Sequence, residues 1–169
     1  MLKRIVLVMA MLISCVGCDQ TSKSVAKTYL SETQAVSYVG GSVRLQIAKN
    51  YGAFLGLGTS LPRAQRNALF SAGVGVLLAG LLAYCLTLSP NNRFTVPSLG
   101  LIIGGGTSNL IDRLLYDGYV VDFLNVGIGS VRTGIFNLAD VFIMVGVLLL
   151  LSGDWLCRQF LDSRLTKST

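Results

Sequence analysis

Histidine is absent from the 169 residues. Its absence excludes Ser-His-Asp and Cys-His catalysis, and it excludes metal sites that depend on imidazole ligands. Charged residues are also scarce, at 13% of the chain, whereas hydrophobic residues make up 52% and mean hydropathy is +0.64. Such a composition is typical of an integral membrane protein. The fourteen Lys and Arg residues form no basic stripe with interleaved aromatics, so a nucleic-acid partner is not expected.

The four cysteines lie in or beside apolar segments. Cys15 and Cys18 have the spacing of a redox or zinc pair, but no second pair and no βαβ pattern accompanies them. We therefore interpret the cysteines, including Cys85 and Cys157, as small apolar residues of the core. No metal and no cofactor is expected.

Long hydrophobic runs dominate the chain. Each is long enough to cross a hydrocarbon core of about 30 Å as a helix. The first run follows Lys3 and Arg4 and ends in Cys15-Val16-Gly17-Cys18, which also resembles a lipoprotein signal peptide. A secreted lipoprotein is thus an alternative, although three further spans argue against it. The predicted spans are residues 2–20, 67–89, 95–116 and 135–156.

The loop over residues 36–58 has a strand pattern. Val43, Leu45 and Ile47 alternate with more polar residues, and Gly40-Gly41 before them is typical of a tight hairpin turn. Basic residues beside the spans favour cytoplasmic positions for both termini, although the bias is not clean. The sequence therefore predicts one domain, residues 1–169. Its fold class is an all-α integral membrane protein with four transmembrane helices and a small extracytoplasmic β-sheet.

Polar residues gather where the third and fourth spans meet the outer surface. Ionisable groups in membrane spans are costly and usually functional. Three of these residues are spaced i, i+3 and i+4, so they share one face of the third helix. Asp122 is expected in the connection between the spans, and Asp140 at the start of the fourth span. The set comprises Asn109, Asp112, Arg113, Asp122, Asn137 and Asp140.

Two carboxylates brought together at this surface would share one proton, because the first ionisation opposes the second. The charged member can then activate water while the protonated member polarises a scissile carbonyl, with no histidine or metal. Two alternatives stay open. These residues could form ion pairs or helix caps, or they could form a proton or ion path in a non-enzymatic four-helix transporter.

Five short motifs, in this order, resemble the type II (lipoprotein) signal peptidases of bacteria. Each motif alone is weak, but five in order on a four-span chain are specific. The motifs are Asp19-Gln20-Thr21-Ser22-Lys23, Asn50-Tyr51-Gly52-Ala53, the segment from Gly105-Gly106 to Asn109 and Asp112-Arg113, Val120-Val121-Asp122-Phe123, and Phe136-Asn137-Leu138-Ala139-Asp140.

The resemblance implies an aspartic endopeptidase of the bacterial inner membrane, with its site near the outer face. Such an enzyme removes the signal peptide of a prolipoprotein just before a diacylglyceryl-modified cysteine. Its partners would be prolipoproteins and membrane lipids, and we expect a monomer. The catalytic pair would be Asp122 and Asp140. Residues that support the site or the substrate would be Asp19, Lys23, Asn50, Gly52, Gly105, Asn109, Asp112, Arg113, Asn137 and Ala139.

Some of these implications leave alternatives. Asp19 and Lys23 are as consistent with a helix-end ion pair as with substrate contact. Tyr51 and Phe54 replace smaller residues that are usual in the family, and an inhibitor-tolerant paralogue is a further hypothesis. The glycine-rich stretch Gly127-Ile128-Gly129-Ser130 predicts a mobile flap over the site.

Overall fold

Helices form most of the chain, and a small antiparallel sheet joins them. The computed structural model describes residues 2–52, 58–88 and 94–165, with residues 154–165 as backbone only. A π-helical segment, Ala68–Gly73, links the second and third helices, so Arg63–Thr87 is one continuous helical stretch. The helices are α1 (Leu2–Tyr29), α2 (Arg63–Asn67), α3 (Val74–Thr87), α4 (Thr95–Leu115) and α5 (Leu138–Leu165).

The observed helices differ from the predicted spans at their ends. α1 continues to Tyr29 instead of stopping at 20, because its last turns pack against the sheet through the buried side chain of Ala26. The second helix begins at Arg63, directly after Pro62, instead of at 67. α5 begins at Leu138 instead of at 135, because the backbone of Phe136 pairs with a strand.

Length and hydropathy qualify one helical stretch of the described residues, Arg63–Thr87, as a candidate membrane span. A second stretch, Leu138–Gly153, is apolar but shorter. The predicted number of four spans therefore stays a prediction. The predominance of helices over strands agrees with the predicted fold class.

Close packing around α4 depends on glycines. A Cβ added to Gly104 would lie 2.7 Å from Cβ of Cys15 on α1, and one added to Gly146 on α5 would lie 2.7 Å from the carbonyl oxygen of Ser98 on α4. Small residues of this kind let helix backbones approach closely in lipid. The apolar core between α1, α3 and α4 consists of Val8, Cys85, Val96, Leu99 and Ile103.

The cysteines follow the core prediction only in part. Cys15 and Cys85 are buried, but Cys18 is exposed on α1. The prediction was wrong for Cys18, because the helical periodicity turns its side chain away from α4. The side chain of Cys157, like the whole of Phe54, lies outside the described residues.

The sheet has four antiparallel strands in the order β1-β2-β3-β4. The predicted hairpin of β1 and β2 is present, and its turn over Val39–Gly41 uses the left-handed φ angles of 61° at Gly40 and 86° at Gly41. Glycine reaches such angles at little steric cost. The strands are β1 (Val36–Tyr38), β2 (Val43–Asn50), β3 (Val120–Ile128) and β4 (Val131–Arg132).

The second half of the sheet was not predicted. Asp122 was expected in a connection, but it lies on β3, where it pairs with Ala48 of β2. The segment expected as a flap forms the end of β3 and its turn into β4, with Gly127 paired to Arg132. Asp122, at a cavity-facing position of β3, and Asn125, on its other face, interrupt the apolar run that would have indicated a strand. Motion of this hairpin stays a prediction.

Two glycine substitutions test the packing. Gly146→Ala should destabilise the protein by about 1–3 kcal/mol, because the new methyl group would meet the α4 backbone. Gly80→Ala, on α3, has nothing within 4 Å of the new methyl and should stabilise the helix by about 0.5–1 kcal/mol. Thermal unfolding in detergent measures both. Equal effects would contradict the close α4–α5 contact.

Candidate active site

Asp122 and Asp140 meet where β3 approaches the start of α5. Along β3, Val121 and Phe123 face a small apolar cluster with Ala26, whereas Asp122 points to the opposite face, as the two-residue period of a strand requires. Asp122 is buried, with 2% of its surface exposed. Asp140 lies in the first turn of α5 and is half-buried. Both carboxyl groups line the same cavity, so the structure brings these two residues together.

The start of α5 holds Asp140 by reciprocal capping. The side-chain oxygen of Asn137 accepts the backbone N–H of Asp140 at 3.0 Å. In return, Oδ2 of Asp140 accepts the backbone N–H of Asn137 at 3.1 Å. This exchange is the geometry of a capping box, in which two helix N-terminal donors are satisfied together. Asp140 is therefore fixed both as a helix cap and as a wall of the cavity.

Asparagine side chains hold the two carboxylates in place. Nδ2 of Asn137 donates to Oδ1 of Asp122 at 2.6 Å, and Nδ2 of Asn50 donates to Oδ2 at 2.9 Å. Nδ2 of Asn109 donates to Oδ1 of Asp140 at 2.9 Å. With the Asn137 backbone bond, each of the four carboxylate oxygens accepts an N–H. These neutral donors orient the pair without neutralising its charge.

A buried ion cluster lies behind the asparagines. Nζ of Lys23 is 2.6 Å from Oδ2 of Asp19 and 2.8 Å from Oδ2 of Asp112, and it donates to Oδ1 of Asn109 at 3.0 Å. A lysine ammonium has three N–H donors, so all three are used. The side chains of Lys23, Asp19 and Asp112 are at most 1% exposed. Lys23 and Asp19 thus form a buried ion pair, and a ligand at the surface of the protein cannot contact them.

Each carboxylate of this ion cluster also holds a backbone amide next to an aspartate of the pair. Oδ1 of Asp19 accepts the N–H of Ala139 at 2.9 Å, directly before Asp140. Oδ2 of Asp112 accepts the N–H of Val121 at 3.0 Å, directly before Asp122. The ion cluster therefore positions β3 and α5 relative to each other.

Two further polar residues complete the cluster and were not singled out from the sequence. Ser108 donates from Oγ to Oδ2 of Asp19 at 2.7 Å, and Gln20 donates from Nε2 to Oδ1 of Asp112 at 2.8 Å. Ser108 precedes Asp112 by four residues on one helix, so the i, i+4 spacing was an available signal. Gln20 lies inside the Asp19–Lys23 motif.

Arg113, Gly52 and Gly105 shape the rim and the back of the site. Nη2 of Arg113 donates to the carbonyl oxygen of Gly52 at 2.8 Å, and the N–H of Gly52 donates to Oδ1 of Asn50 at 3.0 Å. A Cβ at Gly105 would lie 2.5 Å from the carbonyl oxygen of Ala139, so only glycine fits against the start of α5. All the sequence-predicted site residues thus lie in or directly behind the cavity.

Tyr51, which replaces a smaller residue usual in the family, packs away from the aspartates. Its ring centroid is 5.4 Å from that of Tyr119, and the guanidinium of Arg66 lies 5.0 Å from its ring. The effect of Tyr51 on inhibitor binding therefore stays a hypothesis.

The cavity between β3, α3, α4 and α5 has a volume of about 280 Å³ and is called the active-site cavity below. Its polar side chains come from β2, β3, α4 and the first turn of α5, whereas α3 and the following turns of α5 contribute apolar side chains. It is lined by Asn50, Val74, Gly106, Asn109, Arg113, Val120, Asp122, Asp140, Ile143, Met144 and Val147. An elongated ligand with polar groups at one end and apolar groups at the other fits such a lining.

Burial, and to a smaller extent the charge of nearby Asp140, raise the pKa of Asp122 from 3.8 to about 7. Donation from Asn50 and Asn137 opposes the increase but does not cancel it. The pair therefore retains a proton near neutral pH. One carboxylate and one carboxylic acid beside each other can act as general base and general acid.

Across the described ranges 2–52, 58–88 and 94–165, no three acidic or cysteine side chains are placed to hold a metal ion.

The fold and the site together define a membrane enzyme. A solved bacterial membrane enzyme structure has a TM-score of 0.76 to this chain, at 25% sequence identity, and the match covers 88% of this chain and 87% of that one. A second such structure has a TM-score of 0.73 at 24% identity and supports the fold alone. The mostly helical architecture with its small sheet is thus a membrane enzyme fold.

The family follows from sequence comparison. A family model for signal peptidase (SPase) II matches residues 11–155. The chain is 38% identical over 145 residues to a lipoprotein signal peptidase of Moorella thermoacetica, covering 85% of this chain and 88% of that one. It is 31% identical to that of Borrelia hermsii, covering 83% and 85%. The chain belongs to the signal peptidase II family, and it is a peptidase.

Replacing Lys23 tests the role of the ion cluster. Lys23→Met keeps the length of the side chain but leaves Asp19 and Asp112 buried without a cation. It should lower the free energy of unfolding by about 3–5 kcal/mol. Thermal unfolding in detergent provides the measurement. The control is Lys49→Met, whose partner Glu32 is exposed, and it should change stability little. Similar stabilities for both variants would contradict the central position of Lys23.

Proposed function

We propose that this protein removes the signal peptides of prolipoproteins by aspartic catalysis, with Asp122 and Asp140 as the catalytic pair. The observation that carries the proposal is the pair itself, oriented by asparagine donors at the wall of a half-apolar cavity. Membership of the signal peptidase II family supports the reaction class. The named relatives are lipoprotein signal peptidases, which supports the substrate class.

The chemistry follows from the shared proton. The ionised carboxylate takes a proton from a water molecule, whose oxygen attacks the scissile carbonyl carbon while the protonated carboxyl donates to the carbonyl oxygen. The resulting tetrahedral diol collapses as the C–N bond breaks, and the pair delivers a proton to the leaving amine. Neither a metal nor a covalent intermediate is needed. The pair titrates as a unit, so its proton belongs to both carboxyl groups.

The remaining site residues act on the pair or on the substrate backbone. Asn109, Asn137 and Asn50 hold the carboxyl groups, whereas Asp19, Lys23 and Asp112 hold the backbone beside them. In the cavity wall, Arg113 presents a cation near both aspartates. The hydrogen bond of Arg113 to Gly52 fixes the strand end from which Asn50 reaches Asp122. Gly105 and Ala139 allow α4 and α5 to approach closely.

The proposed setting is the bacterial inner membrane. Four spans would place both termini in the cytoplasm and the sheet on the outer surface, within one domain and one monomer. The apolar helices and the likeness to membrane enzymes support this placement. The site would then lie at the outer surface, where water reaches the pair and the substrate's apolar segment can enter from the bilayer. Cleavage would fall just before the diacylglyceryl-modified cysteine.

The transporter alternative is disfavoured by family membership. In addition, Asp112 is fully occupied by Lys23, Gln20 and the N–H of Val121, so it provides structural support instead of an ion path.

Neutralising either aspartate tests the proposal. Asp122→Asn and Asp140→Asn should each lower kcat by roughly 10²–10⁴-fold, because each removes one of the two groups that exchange protons with water and substrate. Cleavage of a diacylglyceryl-modified prolipoprotein peptide by the purified protein is the assay. Asp117→Asn changes an exposed aspartate with an exposed partner and should retain activity. Wild-type rates in either site variant would remove that residue from the pair.

The pH dependence tests the shared proton. Because burial raises the pKa of Asp122 to about 7, the singly protonated pair is lost as pH rises through that value. Thus kcat/KM should fall about tenfold for each pH unit above about 7, and it should also fall in acid as the remaining carboxylate is protonated. Cleavage rates of the lipidated peptide at constant ionic strength give the profile. A flat profile from about pH 6 to about pH 9 would contradict a proton shared within the pair.

A further inference from the structure

A second, almost wholly apolar groove begins at Asp140, on the other side of α5 from the active-site cavity. It has a volume of about 380 Å³, lies between α5 and β4, and is called the β4 groove. Asp140 and Met144 line both spaces. The groove is lined in addition by Arg132, Thr133, Gly134, Phe136, Val141 and Val145.

Helical geometry explains how one helix divides two spaces. With 3.6 residues per turn, Asp140 and Met144 are four apart and form a ridge along α5. Val141 and Val145 form the adjacent row on one side of the ridge, and this row faces the β4 groove. Ile143 and Val147 form the row on the other side, which faces the active-site cavity. A branched molecule bound at Asp140 can therefore extend one branch into the β4 groove and the other into the active-site cavity.

The polar groups of the two spaces differ in a way that separates their ligands. The active-site cavity offers Asn50, Asn109 and Arg113, which can satisfy the N–H and C=O groups of a peptide. Apart from Asp140, which it shares with the active-site cavity, the β4 groove has polar side chains only where Arg132 and Thr133 lie. Beyond them, valines and Phe136 offer no hydrogen bonds, which excludes a peptide backbone but suits a hydrocarbon chain.

The polar end of the β4 groove is rigid. Nη1 of Arg132 donates to the carbonyl oxygen of Gly41 at 2.9 Å, and Oγ1 of Thr133 accepts the N–H of Val126 at 3.0 Å. Nε of Arg132 donates to Asn125, and Nη2 donates to the carbonyl oxygens of Ser42 and Asn125. The Thr133 hydroxyl hydrogen and the second N–H of Nη1 are therefore the two donors suited to ester carbonyl oxygens. An acylglycerol has two such oxygens between its glyceryl carbons and its chains.

The geometry points to the β4 groove as the binding site for an acyl chain of the substrate's diacylglyceryl group. The modified cysteine would lie at the Asp140 ridge, with the signal peptide in the active-site cavity and the ester carbonyls beside Arg132 and Thr133. This inference rests on the proposed function. It adds that the lipid is recognised by a groove of its own, separate from the groove for the peptide.

Blocking the groove tests the inference by chain length. Val145→Trp places a bulky ring in the groove, at a side chain that is 41% exposed. It should raise KM about tenfold for a substrate with long acyl chains, equivalent to losing the burial of about two methylenes, and leave kcat unchanged. A substrate with very short acyl chains should show no change in KM. Leu77→Trp, a similar exchange on the exposed face of α3, is the control and should behave as wild type with both substrates.

The outcomes are distinguishable. If Val145→Trp and wild type keep the same ratio of long-chain to short-chain KM, the acyl chain binds elsewhere and the inference is overturned. If wild type cleaves neither substrate, the proposed function fails instead. A photoreactive group at the acyl terminus, mapped by mass spectrometry, should label Val141, Val145 or Phe136. Labelling of Val74 or Val147 would assign the lipid to the active-site cavity and overturn the inference, as would equal groove labelling by a phospholipid carrying the same group.

Discussion

The ion cluster of Lys23 with Asp19 and Asp112 is the interaction on which the rest of the site depends. Breaking a buried ion pair leaves an uncompensated charge, and here each carboxylate also holds the backbone N–H beside one member of the aspartate pair. The strand that carries Asp122 and the helix that carries Asp140 are thus joined through one lysine on a third element, α1. That lysine also orients Asn109, which donates to Asp140. The stability of the fold and the geometry of the aspartate pair therefore depend on the same buried charges.

Charge balance explains why the pair keeps a proton. Behind the pair, the single ammonium of Lys23 is shared by two carboxylates, Asp19 and Asp112, so its charge is already balanced there. Burial and the proximity of Asp140 then raise the pKa of Asp122 to about 7. Asparagines orient both carboxyl groups without adding charge. A site built with a further lysine or arginine in these positions would hold two carboxylates and no acid.

The sequence located the residues of the candidate site better than it predicted the secondary structure around them. Ordered motifs placed Asp122, Asp140 and their supporting residues correctly in one neighbourhood, because ionisable residues in an apolar chain are rare and their order is specific. The hairpin of β1 and β2 followed from the alternation of Val43, Leu45 and Ile47 and from its glycine turn. β3 was missed because Asp122 and Asn125 interrupt an otherwise apolar strand. Its pairing with β2 also joins residues that are about 70 to 83 positions apart in the chain. The end of α1 was missed for a similar reason. Asp19 and Lys23 are consistent with a helix end in the sequence, whereas Asp112 and Ser108 of α4 bury both side chains within the helix.

The central claim is that two aspartates, held by this buried network, share one proton while the enzyme is active. Isotope-edited infrared difference spectroscopy of the protein in detergent, with labelled aspartate carboxyl groups, measures that proton directly. The account predicts one protonated aspartate signal that disappears as pH rises through about 7 and that is lost in Asp122→Asn. In Asp140→Asn the signal should disappear at a lower pH, because the charge of Asp140 no longer opposes the ionisation of Asp122. A protonated signal that persists unchanged in both variants, or no such signal in the pH range of activity, would contradict it.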